Sequence, residues 1–191
     1  MFDEFAKDYL HHELRTLREA LVWKLDGLSD YDVRRPLTVT GTNLLGLVKH
    51  KAYADARYLG EVFGRPFPGP VPLWNDPGAW QDEHWVAAHE TRAGILALYA
   101  AVGAHTDATI DALPVDAPGH VPWWPRPDVK LFNVMVHVLN ETSRHAGHAD
   151  ILREQLDGRT GVTPAYAHVV DAAAREAHCA RIEAAAREAV G

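Results

Sequence analysis

Between His137 and His148 the sequence HVLNETSRHAGH puts three imidazoles and a carboxylate into a stretch that otherwise has the composition of a buried helix. One unpartnered polar group taken out of water costs about 1–3 kcal/mol, so several together demand partners. At about 100° per residue, with His137 as zero, Glu141 falls at about 40°, His145 at about 80° and His148 at about 20°. The four side chains therefore form one stripe, and Val134 and Leu152, at about 60° on the same scale, bracket it with apolar residues. Met135, Leu139, Ala146 and Ala149 occupy the other face and could pack equally well, so periodicity leaves the buried face open. A carboxylate and an imidazole at i and i+4 project side by side and can grip one metal ion. A third ligand has to come from another helix, and His50, preceded by the apolar turn Leu44, Leu45, Leu47 and Val48, is the natural candidate. Two nitrogens and one oxygen would leave coordination positions for water or substrate. The plainer readings stand beside this one: His50 as a hydrogen-bonded core residue, and Glu141 with His145 as a structural hydrogen bond.

Positioning such a stripe needs long helices. Phe5, Tyr9, Leu10, Leu14, Leu17, Leu21 and Leu25 recur at helical spacing and predict a first helix over about residues 2–28, ended by DGLSD and Pro36. The second pattern opens at Thr42 or Asn43 as a cap and runs to about Gly64. The segment GRPFPGPVPLWNDPGA, residues 64–79, is too rich in proline and glycine for a helix and reads as a loop or crossover. A third helix is expected from Gln81 or Asp82 to about Leu113, and a fourth from about Asp128, its expected cap, to Leu156, closed by DGRTG. An Ala-rich fifth helix is expected over about residues 164–190, with Pro164 in its first turn. No strand-like alternation of useful length occurs. The expected fold is all-α, a four-helix bundle with long connections over about residues 1–158 plus the C-terminal helix, in a single domain.

The composition narrows the chemistry. Hydrophobic residues at 47% and charged residues at 24% match an ordinary globular chain rather than a disordered one. The formal charge of -7, with no Lys/Arg block, argues against nucleic acid as a partner. No apolar run approaches the about 18 residues a membrane span needs, and the N-terminus carries acids where a secretory leader would be basic, so a cytoplasmic protein with no membrane partner is expected. Cys179 is the only cysteine and lacks a basic cluster, so it reads as inert and the chemistry must rest elsewhere. A carboxylate-bridged di-iron centre would want two Glu-x-x-His motifs, and the sequence has none.

The runs NETSRHAGHADILREQLDG and TGTNLLGLVKH resemble the DinB-like superfamily of metal-binding four-helix bundles, in the branch of mycothiol-dependent maleylpyruvate isomerase and the bacillithiol and mycothiol transferases. The likeness extends from the first helix to Gly158. It implies a metal held by one histidine of the second helix and a pair four residues apart on the fourth, here His50, Glu141 and His145. The commoner pair is two histidines, and Glu followed by His is the thiol-dependent pattern. His148 is then an orienting neighbour or a substitute ligand. The resemblance implies a divalent metal, zinc first, with nickel, manganese or iron as alternatives, and a low-molecular-weight thiol, mycothiol or bacillithiol, acting on an electrophile by transfer or isomerisation. The excess of Arg over Lys, 14 against 5, points to a GC-rich genome and hence to mycothiol. Trp123, Trp124 and Arg144 are candidates for the substrate pocket, the arginine for an anionic group. Of the adjacent His11 and His12 on the first helix only one can face the bundle, and surface placement is the plainer expectation; His84 and His89 are expected on the solvent face of the third. The competing reading is a non-catalytic bundle that binds a metal or small ligand and acts by association, including as a homodimer.

Overall fold

The computed structural model describes residues 2–78, 82–169 and 171–189. Its helices are α1 (Phe2–Trp23), α2 (Asp30–Arg34), α3 (Leu44–Tyr58), α4 (Arg92–Ala112), α5 (Leu131–Asp157) and α6 (Ala172–Glu188). Four of them, α1, α3, α4 and α5, form the bundle, with α3 packed on α4 and α5, and α1 on the same two from the other side. The chain has an all-α fold, as expected.

Local chemistry sets the boundaries, and several differ from the sequence expectation. The first helix stops at Trp23 rather than Leu28, because Gly27 turns the chain at φ 74° and Ser29 caps the short α2, accepting from the Asp32 N–H. Helix α3 begins where Asn43 accepts from the Gly46 N–H at 2.8 Å. The third long helix starts at Arg92, ten residues after Asp82, because Thr91 caps it by accepting from the Gly94 N–H at 3.0 Å. Residues 82–91 are turns instead, and an expected start at Gln81 lies outside the described residues. Asp128 does not cap α5: residues Asp128–Lys130 form β2, which pairs antiparallel with β1 (Pro118–His120), and the helix follows directly. Gly158, at φ 74°, closes α5 as expected. Beyond it, Arg159–Thr160 (β3) pairs with His168–Val169 (β4), Pro164 enters a 3-10 turn, and Asp171 caps α6. The expected last helix therefore begins eight residues late, since strand pairing claims the segment between. Every described residue of α6 is exposed.

The core consists of two apolar clusters with a polar belt between them. One cluster takes Leu21 on α1 and Leu25 just after it, and the other Leu14 on α1; on α4 the division is Tyr99 and Val102 against Ile110, and on α5 Ala149 and Leu152 against Val134, Met135 and Val138. Between these positions fall Arg18, Thr106 and Thr142, all buried, beside Glu141. Helix α3 is buried at every position except Tyr53, and it brings Lys49, His50, Lys51, Asp55 and Arg57 inside. Burying five polar or charged side chains on one helix demands a matched set of partners. The candidate site is part of that set.

Candidate metal centre

His50 sits at the centre of the belt, 7% exposed. Its Nε2 is 3.2 Å from Glu141 Oε1, and its Nδ1 is 2.9 Å from Glu83 Oε1. His145, one turn beyond Glu141 on α5, lies with Nε2 3.9 Å from the same Glu141 oxygen, its ring edge-on to that of His50 at 4.8 Å between centroids. Donor atoms of His50, Glu141 and His145 all fall within 4.8 Å of one another. The helical stripe thus faces inward at Glu141 and His145, and α3 supplies the third group across the bundle.

The second oxygen of Glu141 is committed. Lys51, fully buried, donates to Glu141 Oε2 at 2.9 Å and also pairs with Asp55 Oδ1 at 3.0 Å. The belt continues from Asp55 to Arg18, whose Nε is 3.6 Å away, and Arg18 donates to Thr106 and to Asp107 on α4. Asp107 also receives Arg15 at 2.9 Å and lies 2.9 Å from His11 Nε2. His11 is therefore buried in an ion cluster rather than at the surface, while its neighbour His12 is exposed, because adjacent helical side chains cannot share a face.

These contacts set the protonation states. Burial disfavours the Glu141 carboxylate, but His50 and Lys51 overcome that and hold its pKa far below the ordinary value. Burial likewise works against a charged His50, and the flanking carboxylates Glu141 and Glu83 outweigh it, so its pKa is raised. His145 goes the other way: burial, followed by the nearby His50 and Lys51, pushes it down to about 4. A neutral His145 at physiological pH has a lone pair free for a ligand.

The donor set fits a divalent ion. Two ligands each about 2.0–2.1 Å from a tetrahedral ion stand about 3.3 Å apart, the spacing of His50 Nε2 and Glu141 Oε1. His145 Nδ1 is buried with no hydrogen-bond partner among the described residues, so this imidazole is not held as a structural hydrogen-bonding group on that edge. Lys51 takes Glu141 Oε2, so Oε1, which His50 Nε2 meets, is the oxygen directed at the centre, as suits a monodentate ligand.

The family comparison bears directly on this constellation. The family model that matches the chain is mycothiol-S-transferase, over residues 9–158. The chain belongs to this family. The matched region contains His50, Glu141 and His145, and it ends at Gly158, leaving α6 outside. No curated protein matches the chain. No described helix is long and apolar enough to cross a membrane.

The other residues singled out by sequence divide. His148 is exposed, its ring 5.5 Å from that of His145, and it is not in the converging donor set. Arg144 is exposed on α5. Trp123 and Trp124 are half-buried and both donate Nε1–H to the Tyr58 hydroxyl, at 3.1 and 3.3 Å. Trp124 also meets the His137 ring edge-on at 4.6 Å, and Trp74 stands 5.5 Å from Trp123, so an aromatic cluster forms one turn before Glu141 on α5. His84 and His89 are both exposed, as expected, but neither is on a helix: both lie in the turns before α4, where His84 stacks on the His50 ring at 4.2 Å. A cavity of about 610 Å³ between α1 and α4, lined by Trp23, Leu96, Tyr99, Arg18 and Asp107 among others, contains none of the candidate ligands.

Glu83 and Lys51 are the two members of the site that the sequence pattern does not single out. Glu83 reads as an ordinary acid of an expected helix and is in fact 3% exposed. Lys51 had a usable signal, since KHK inside a run of small and apolar residues puts two lysines where each needs a buried anion.

Proposed function

We propose that this chain is a metal-dependent S-transferase that joins a low-molecular-weight thiol, mycothiol first, to an electrophile, with His50, Glu141 and His145 as the ligands of a divalent ion, zinc first. The observation that carries the reading is the convergence of donor atoms of His50, Glu141 and His145 within 4.8 Å, in a chain of the mycothiol S-transferase family. A bound divalent ion supplies the positive charge that lets a thiol lose its proton near neutral pH and react as a nucleophile. The protein's own part is positional. His145 stays neutral and keeps its lone pair; Lys51 holds Glu141 Oε2 so that only Oε1 faces the centre. Trp124 and His137 stand one turn from Glu141 and offer flat, half-buried surfaces to an apolar part of the electrophile. No protein sulfur is needed, in keeping with an exposed Cys179 on α6.

The test is spectroscopic. Cobalt-substituted protein is titrated with mycothiol, bacillithiol and glutathione, and a new thiolate bond changes the visible ligand-field bands. The expected result is a saturable change with mycothiol and a weaker one with glutathione. Glu141→Ala should lose stoichiometric metal, whereas His148→Ala should keep it. A spectrum indifferent to all three thiols would replace this reading with a non-catalytic metal-binding bundle.

A further inference from the structure

Resting on that metal reading, we infer that Glu83 is the positioning residue of the site: it holds His50 through Nδ1 so that Nε2 faces Glu141 and His145. The two ring nitrogens of a histidine lie on different edges, and the partner of one fixes both the tautomer and the direction of the other. Here Glu83 Oε1 is 2.9 Å from Nδ1, and Nε2 is the nitrogen directed at Glu141. Glu83 cannot turn away, because its other oxygen accepts from Arg57 Nη1 at 2.8 Å, and a guanidinium never gives up its proton in this role. Both partners are almost fully enclosed, Glu83 at 3% and Arg57 at 1% exposure.

The turn that carries Glu83 is itself fastened to α3. A Cβ placed on Gly46 would stand 2.1 Å from the His84 carbonyl oxygen, so glycine at that position allows the turn's backbone to lie directly on the helix, one turn before His50. Lys49 donates to the Trp85 carbonyl at 3.1 Å and to Glu90 at 2.9 Å, and Arg34 donates to the Ala87 and Glu90 carbonyls. A ten-residue segment without helix or strand is thus anchored along its length by the buried cations Arg57 and Lys49 and the half-buried Arg34. That investment delivers one carboxylate to one ring nitrogen.

His50, Glu83 and His84 also bring donor atoms within 4.8 Å of one another, which raises the alternative that Glu83 is itself a ligand. The geometry points away from it. Both Glu83 oxygens are occupied, the 2.9 Å separation from Nδ1 is a hydrogen bond, and His84 lays its ring face on His50 at an interplanar angle of 24° with its side chain 59% exposed.

The experiment measures zinc affinity by chelator competition for the full chain, Glu83→Gln and His84→Ala, and records long-range proton–nitrogen NMR spectra of the zinc-loaded wild-type protein. Glu83→Gln should bind zinc about 10–100-fold more weakly, the range for residues that orient a ligand, and His84→Ala should stay within about threefold. The wild-type spectrum, which needs no variant to fold, should show His50 with a proton on Nδ1 and the metal on Nε2. Metal on Nδ1, or a His84→Ala loss as large as that of Glu83→Gln, makes Glu83 a ligand and overturns the inference. Unchanged affinity in Glu83→Gln overturns it while leaving the metal site standing. A wild-type protein that binds no zinc removes the metal reading and this one with it.

Discussion

Lys51 is the buried cation whose loss has the most legible cost. It is fully enclosed, and two carboxylates depend on it, Glu141 at 2.9 Å and Asp55 at 3.0 Å. Lys51→Met keeps the length and fills the space but removes the charge. Breaking a buried pair by deleting one partner costs about 3–5 kcal/mol, because the surviving charge stays desolvated. Asp55 retains Arg18 at 3.6 Å and Glu141 retains His50 at 3.2 Å, so the lower end, about 3 kcal/mol, is expected in the presence of a chelator. Zinc should narrow the gap. Glu141 then recovers a cation, and a like charge beside the ion has been removed, so the variant binds zinc more tightly than the wild type. Zinc at 100 times its Kd adds about 2.7 kcal/mol to any protein that binds it only when folded, and the variant must gain more than the wild type at equal zinc. Urea unfolding of both proteins, in chelator and in excess zinc, gives all four stabilities. A loss below about 1 kcal/mol in chelator would refute the buried-pair argument, on which the figure rests; a smaller zinc gain in the variant would refute the coupling to the metal site.

Three further outcomes follow from the packing and the charge belt. Gly46→Ala should cost about 2 kcal/mol or more, because its methyl would displace the His84 backbone and the helix propensity gained offsets only about 1 kcal/mol of that, and should weaken zinc binding alongside Glu83→Gln, whereas Gly147→Ala, where a methyl meets nothing within 4 Å, should raise the melting temperature. At Asp107 burial opposes ionisation and Arg18, His11 and Arg15 overcome it, so its folded pKa is depressed. Its contribution is present above the unfolded carboxylate value and is lost as pH falls through the folded one, so the urea midpoints of wild type and Asp107→Asn should differ at pH 6 and converge toward pH 2.

Helix positions were legible in the sequence wherever apolar spacing and a cap agreed. Asn43 and Gly158 bound α3 and α5 as their residue types require. The extended third helix failed because Asp82 and Glu83 imitate the acidic first turn of a helix, while the true cap, Thr91, lies among residues that also pass for helix. Within the candidate site, the i and i+4 spacing of Glu141 and His145 and the apolar setting of His50 pointed to residues that do converge. Glu83 could not be reached that way. It arrives through a turn 33 residues from His50, and local spacing carries no information about such a contact. His11 illustrates the same limit: its burial depends on Asp107, 96 residues away, and nothing in its own neighbourhood announces that partner.

The charged belt across the bundle bears on which helix alignment this chain can adopt. Helix α3 is buried on nearly all sides, and α5 carries apolar residues on two faces, so greasy contacts alone would tolerate sliding one rod past another by a turn, about 5.4 Å. Such a slide would set Glu141 against the leucines and valines of a neighbouring layer and leave Lys51 and Asp55 facing side chains that cannot answer them. The penalty for mismatched buried ions is large compared with the small differences among apolar packings, and a single misplaced rung is enough to incur it. The belt therefore works like the notches of a key: it adds little attraction of its own, but it rejects the alignments that an evenly hydrophobic bundle would accept.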